Sequence, residues 1–541
     1  MGFRVNTAGK VQQGHFARVP ATVNAPRSAF DRSSVHKTTI NSGLLYPLFW
    51  EPVLPGDTLN LTMNVLLRLL TPIFPYMDNL YLDVHWFFVP DRLLWNHWEQ
   101  FQGAVEPDDT TEYEYPSLDD ATHAAGFAQD SIYDYFGIPT KIPNIPQDDM
   151  PIAAPLRAYN KIVNDWYRDE NYQDSLVLDK SDGPDTTNYQ LFRRNRRKDY
   201  FTSCLPWPQK GPSVPFPIGS TAPVVSNGEN FTMSRYDGAG TPNQTMAYNG
   251  SAVAVYSSNP GLGTDQKLKW GNESGLEADL SAAAGSTVNA WREAVVLQQM
   301  LELDARGGTR YVEAILARFG VVSPDFRLQR SEYIGGQTMD VNVNPIAQTS
   351  QSGDLSDPDA TPQGNLAGFA AARGRSSAVY SCQEHGHIIA MVSVRADTTY
   401  QQGLSRHWSR RTRHDFYEPL AANLGEQAVL NKEIYMQGPV TPPAKGDNDV
   451  YGYQERWAEY RYRPGMVTGA FRSNYTGSLD AWHLAVDFDS LPTAEDVIPE
   501  NPPVQRIVAV QNEPEFQCDT WTRFRHVRVM PIYSAPGLTR L

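Results

Sequence analysis

In residues 58–69 every odd position is apolar. Leu59, Leu61, Met63, Val65, Leu67 and Leu69 are apolar, while Thr58, Asn60, Thr62 and Asn64 are polar. A period of two buries one face of a strand and leaves the other in water. After Pro72 and Pro75 the pattern resumes in the opposite phase, with Leu80, Leu82, Val84, Trp86 and Phe88 against Tyr81, Asp83 and His85. Residues 38–50 form a third β-rich run, closed by Pro52 and a Pro55-Gly56 turn. Three successive strands joined by turns too short for a crossover helix predict an antiparallel sheet with one face on a core. Pro90-Asp91 then opens a short predicted helix, with Leu94, Trp98 and Phe101 on one side and Gly103 as its stop.

The middle of the chain changes character. Leu156, Tyr159, Val163 and Trp166 share one stripe and predict a helix over 151–172. Residues 206–285 are dominated by Gly, Pro, Ser, Thr and Asn, and read as an insertion with its own short strands. Two helices follow. One carries Trp291, Val295, Leu297, Met300 and Leu301 and stops at Gly307-Gly308; the other carries Val312, Ile315, Leu316 and Phe319 and stops at Gly320. Both are expected to cover the sheet. Residues 344–378 read as loop. Strands return after His387, with Ile388, Ala390, Val392 and Val394 on one face, and strand-like runs lie at 457–463, 507–510 and 523–532. Strands at both ends with helices and insertions between them require sequence-distant pairing, the Greek-key or jelly-roll arrangement.

Composition agrees with a strand-and-loop protein: 40 prolines, 39 glycines, 11% aromatics and only 20% charged residues in 541. A net charge of −15 argues against a binder whose whole surface is basic, but allows one acidic and one basic side. Residues 1–35 are basic and arm-like, and 104–150 are acidic and loop-like. Three cysteines make neither a disulfide framework nor a zinc site. With no apolar leader and no 18-residue apolar span, the expectation is a chain folded in a reducing cytoplasm without membrane insertion.

Catalytic patterns are missing: there is no Gly-x-Ser-x-Gly, Walker A, Gly-x-Gly-x-x-Gly or His-Glu-x-x-His. Glu384-His385-Gly386-His387 comes nearest to a metal motif, since His-x-His on a strand aims both rings to one side. Cupin-type jelly rolls need a Glu four or five residues on, where Met391 and Val392 stand. No catalytic residue, metal or cofactor is therefore assigned. What stands out is the run from Arg406 to His414, whose Arg406, Trp408, Arg410, Arg411 and Arg413 meet no acid before Asp415. Arg525 and Arg528 form a second basic cluster near the C-terminal end. Guanidinium groups grip phosphate bidentately and an interleaved indole offers a face to an unstacked base, so these seven residues are candidates for nucleic-acid binding. The alternative is a salt-bridge network between subunits, with the acidic 104–120 loop as partner.

Several ordered blocks carry a resemblance. They include Phe30-Asp31-Arg32-Ser33-Ser34-Val35-His36-Lys37-Thr38-Thr39, Glu51-Pro52-Val53-Leu54-Pro55-Gly56-Asp57-Thr58 and Asp304-Ala305-Arg306-Gly307-Gly308-Thr309-Arg310-Tyr311. Leu328-Gln329-Arg330-Ser331-Glu332-Tyr333-Ile334-Gly335-Gly336 and Tyr451-Gly452-Tyr453-Gln454-Glu455-Arg456 continue them. The chain resembles the major capsid proteins of gokushoviruses, small single-stranded DNA bacteriophages of the microvirus group. The resemblance implies a mainly β protein: a single eight-stranded antiparallel jelly roll (β-sandwich) with long inter-strand insertions containing several helices. It further implies an N-terminal arm (1–35), a body in two parts (36–205 and 286–541) and a variable protrusion (206–285). Expected partners are copies of itself in a T=1 icosahedral shell, a circular single-stranded DNA genome, an internal scaffolding protein, a small basic DNA-binding protein, a pilot protein, and a host receptor met by 206–285. A carbohydrate-binding or carbohydrate-active jelly roll is the competing reading.

Overall fold

The computed structural model describes residues 26–533 apart from 105, 107, 109–110, 215–223, 227–231, 236–243, 248–255, 258–267, 271–275, 279–287, 353–360, 443 and 511–512. Most of the expected arm at 1–35 and most of the expected insertion at 206–285 lie outside the described residues. The chain divides into two compact units, one of residues 1–208 with 309–541 and one of residues 209–308.

Nine strands build the sheet of the larger unit: β1 (Arg27–Asp31), β2 (Ser34–Ile40), β3 (Tyr46–Val53), β4 (Thr58–Leu69), β5 (Leu80–Pro90), β6 (Glu332–Ala347), β7 (Leu366–Ser381), β8 (Gly386–Ala396) and β9 (Phe516–Val529). Their order is β1-β9-β4-β7-β6-β5-β8-β3, with β2 also on β9. β1 pairs with Arg525–Val529 and β2 with Phe516–Thr522, so the two fill a single position and the sheet has eight. Every pairing in it is antiparallel. Two four-stranded layers result, β1/β2-β9-β4-β7 and β6-β5-β8-β3, joined where Asn342–Ala347 of β6 meets Leu366–Ala371 of β7. The fold is mainly β, an eight-stranded antiparallel curled sheet of the jelly-roll kind with helical insertions.

The alternation seen in the sequence fills the space between the layers. Leu59, Leu61, Met63, Phe516 and Phe524 from one layer pack against Leu82, Val84, Trp86, Ile388 and Val392 from the other, all at most 1% exposed. Fully burying side chains of this size stabilises by roughly 1.5–3 kcal/mol each, which makes this seam the main source of stability. However, β3, β4 and β5 do not pair with one another: β4 lies between β9 and β7, while β5 lies between β6 and β8. The turns at Pro55-Gly56 (Gly56 φ 87°) and Pro72–Pro75 carry the chain across the core from layer to layer. Short connections fixed the strand direction without fixing adjacency.

The expected loop at 344–378 is largely strand, because β6 and β7 are each sixteen residues long. The inward residues of β7 are small (Ala370, Ala372, Gly374, Ser376 and Ala378), which disguises it as loop. Their size is set by what they face. Trp86 donates its indole N–H to Ser376 Oγ at 3.0 Å, and a Cβ on Gly374 would run into the Met339 thioether. The strand expected at 457–463 is a turn with a 3₁₀ segment at Ala458–Tyr460, and 507–510 contributes only an isolated bridge from Val508 to Pro72.

The two layers differ on their outer sides. β8 is buried at all eleven positions, and Phe87, Val89, Ile389 and Met391 form a second core with helix α1 (Ala154–Ile162). This helix, shorter than the span expected from 151–172, runs on as a π turn over Val163–Tyr167. Its Tyr159 hydroxyl donates to Leu45 O at 3.0 Å, tying it to the sheet. The outer face of the other layer carries exposed side chains, among them Leu66, Val379 and Trp521.

In the smaller unit, short strands pair as a four-stranded set (Leu268–Trp270, Thr232–Arg235, Gln244–Ala247, Tyr256–Ser257) and a two-stranded set (Leu276–Ala278, Val224–Ser226). Helix α2 (Val288–Arg306) follows, and Lys210 N donates to Leu301 O at 3.3 Å. Of the residues of α2 only Ala305 is buried, and Trp291, Val295, Val296, Leu297 and Met300 are exposed. Helix α3 (Tyr311–Phe319), in the larger unit, buries none of its residues either, and ends at Gly320 in the left-handed conformation. The apolar periodicity is real, but the large apolar side chains of both helices are exposed or half-buried. All three cysteines are buried free thiols.

Candidate nucleic-acid interface

The run from Arg406 to His414 folds as two 3₁₀ turns, Arg406–Trp408 and Arg413–Asp415. Asp415 closes the second turn by accepting from the backbone N–H of Arg411 (2.8 Å) and Thr412 (2.6 Å), and these bonds bring its carboxyl down to about 2. The arginines then diverge. Arg406 donates to Glu433 Oε1 at 3.0 Å and to Ala428 O at 2.7 Å. Arg410 reaches Glu459 at 3.4 Å and lies over the Tyr460 ring at 4.4 Å. Glu433 is buried, which raises its carboxyl, and takes a further bond from the Tyr200 hydroxyl at 2.7 Å. Arg406 and Arg410 are thus held by carboxylates of their own chain, Glu433 and Glu459. Trp408 (74% exposed), Arg411 and Arg413 face solvent, with Glu418 3.8 Å from the Arg413 guanidinium.

The second cluster splits in the same way. Arg528 turns inward and grips the buried Asp57 at 2.7 and 3.0 Å, beside His526 Nε2 at 2.8 Å. Arg525, three positions earlier on β9, is outward and exposed. Strand alternation makes the difference, since odd positions of β9 face out and even ones face the core. The structure therefore brings together Arg406 with Arg410 around Glu459, and keeps Arg528 apart at Asp57.

The outer face of the β2-β9-β4-β7 layer holds basic residues that the sequence reading passed over. One rung aligns Arg375, Asn64, Trp521 and Val35; the next aligns Arg373, Leu66, Asp519 and Lys37. A further rung holds Ser377, Thr62 and Arg523. Trp521 is 48% exposed, and Arg68, Arg373, Arg375 and Arg523 are exposed around it. The signal was present as the alternations Arg373-Gly374-Arg375 and Trp521-Thr522-Arg523-Phe524-Arg525. It was hidden because the first lay in a stretch read as loop.

Glu384, His385 and His387 do not converge. Glu384 pairs with Arg92 at 2.6 Å, His385 packs edge-on to Trp98, and His387 is buried. Among the described residues no group of three or more His, Cys, Asp or Glu side chains is arranged to hold a metal, and no helix is long and apolar enough to cross a membrane.

The family model described as "Capsid protein (F protein)" matches residues 17–538. The chain is 43% identical to capsid protein VP1 of Bdellovibrio phage phiMH2K, over 97% of this chain and 98% of that one. It is 40% identical to VP1 of Chlamydia phage 1, over 98% of both. With VP1 of Spiroplasma virus 4 it shares 35% identity over 94% of each. The chain belongs to the phage capsid protein (F protein) family.

This microvirus capsid protein is accordingly a structural, non-enzymatic component of the virion shell. Capsid proteins assemble with copies of themselves.

Proposed function

We propose that this capsid protein forms a small T=1 icosahedral shell around a circular single-stranded DNA genome, with residues 206–285 projecting for attachment to a host receptor. The observation that carries the reading is the match with VP1 of three phages over 94–98% of this chain and of each of theirs. Further support comes from the exposed apolar residues, such as Phe319 at 76% and Leu420 at 95%, which call for partners. Outward Arg411, Arg413 and Arg525, with Trp408, serve the DNA; Arg406, Arg410 and Arg528 shape the protein that presents them. A scaffolding protein, a small basic DNA-binding protein and a pilot protein complete the expected set of partners. Electron microscopy of purified particles tests the proposal: icosahedral shells with one subunit per asymmetric unit and a DNA-filled interior are expected. A preparation that stays monomeric under every condition overturns it. Deleting 220–272 should leave assembly intact and abolish adsorption; loss of folding would instead make that segment part of the body.

A further inference from the structure

The two layers of the jelly roll are finished differently. The β6-β5-β8-β3 layer is roofed by the chain's own helix α1 and its loops, so β8 sees no solvent. Among the described residues the β2-β9-β4-β7 layer has no such roof over its centre: Trp521, Leu66 (50% exposed) and Val379 (65% exposed) stand open on it. An indole left in water at the middle of a regular sheet gains nothing in the isolated chain.

We infer that this open face is a platform for single-stranded nucleic acid, in which Trp521 stacks on a base and Arg68, Arg373, Arg375 and Arg523 take the flanking phosphates. The inference rests on the proposal above that the shell encloses single-stranded DNA. Charge complementarity selects the occupant. In a chain of net charge −15, the strand positions around Trp521 hold these four arginines and Lys37, against two carboxylates: Asp519, already 3.5 Å from Lys37, and Asp31, opposite Arg525. A polyanion is the partner such a surface attracts. The indole selects a single strand over a duplex, because paired bases are stacked on one another and offer no free face to an exposed aromatic ring.

Sheet geometry suits the purpose. Neighbouring strands lie about 4.8 Å apart and successive outward positions on one strand about 7 Å apart. Arg375, two strands across on the same rung, and Arg523, one outward position along, therefore start about 10 Å and about 7 Å from Trp521. A long arginine side chain spans that gap and can reach a phosphate on either side of a stacked nucleotide. The strand beneath is rigid: Asn64 Nδ2 donates to Trp521 O at 3.4 Å, and Thr520 and Thr522 on either side are buried.

The test uses the full chain, both as assembled particles and as unassembled subunits, with an oligodeoxythymidylate of about twenty nucleotides as probe. In particles, ultraviolet crosslinking is expected to attach DNA to the peptide containing Trp521. In subunits, Trp521→Ala should weaken binding about tenfold, and Trp521→Phe, which keeps a π face, should recover most of it. Arg373→Gln with Arg375→Gln should flatten the salt dependence by about 0.7 per arginine removed. Unchanged binding and no crosslink at Trp521, in particles that do contain DNA, overturn the inference. Variants that fold and bind the probe normally yet fail to assemble also overturn it, by making the face a contact between subunits. Wild-type particles without DNA would instead defeat the packaging proposal itself.

Discussion

The indole N–H of Trp50 on β3 donates to Nδ1 of His387 on β8 at 3.2 Å, while Nε2 of the same ring faces Asp91 at 3.0 Å. One nitrogen accepts and the other is turned to a carboxylate, so neither lone pair is offered to a metal. The ring is a strut between strand β3, strand β8 and the Asp91 turn. His387→Ala should destabilise the subunit by about 2–4 kcal/mol, from the lost packing and from the unpaired groups left on Trp50 and Asp91. Zinc or a chelator should leave the melting temperature of the wild-type protein unchanged. A zinc-dependent rise would mean that the motif binds metal after all.

Asp83 is the hub of a second buried network. It meets Arg194 at 2.5 Å, Arg395 at 2.8 Å and the Thr338 hydroxyl at 2.5 Å. Burial pushes its carboxyl up, but Arg194, Thr338 and Arg395 together outweigh burial and bring it to about 2. A carboxylate lowered from the model-peptide value of 3.8 contributes stability at any pH above that value and loses it as pH falls towards about 2. The contribution is about 2 kcal/mol. Asp83→Asn should cost more, about 3–5 kcal/mol, because it strands the buried Arg395 guanidinium. The gap between the melting curves of wild type and Asp83→Asn should therefore narrow, by about 2 kcal/mol, between pH 4 and pH 2.

The basic run should divide by mutation as it divides in space. Arg406→Gln removes the partner of buried Glu433 and should cost about 2–4 kcal/mol. Arg411→Gln with Arg413→Gln should move stability by no more than about 0.5 kcal/mol. The second pair alone should lower DNA retention by particles and make its release begin at lower salt. Equal DNA content in both variants and wild type would remove the run from the nucleic-acid interface.

The exposed stripe of α2 predicts an assembly defect without a folding defect. Trp291→Asp or Met300→Asp, at positions 50% and 49% exposed, should leave the subunit's melting and circular dichroism intact and block shell formation. Sedimentation separates the outcomes. Normal shells from both variants would mean that the stripe meets no neighbour.

β4 and β5 were legible because large apolar residues alternate with polar ones, and one-sided burial needs no knowledge of the partner. β7 was not, because Ala, Gly and Ser fit beside Trp86 and Met339 and carry no hydrophobic signal of their own. The helices α2 and α3 were found, but periodicity does not reveal whether the covering surface is in the same chain. Charge behaved alike. Arg406 and Arg413 look equivalent in sequence, and only the fold brings Glu433 and Glu459 to the first and leaves the second in solvent. Arg528 faces inward to Asp57, a residue far away in the chain, so its role was beyond any local motif.

β9 comes last in chain order among the nine strands of the sheet, yet it lies between β2 and β4, among the earliest. Until it is synthesised, one layer has a gap through its middle and both flanking strands carry open edges. A nascent or truncated polypeptide is consequently unable to complete the body that meets other subunits.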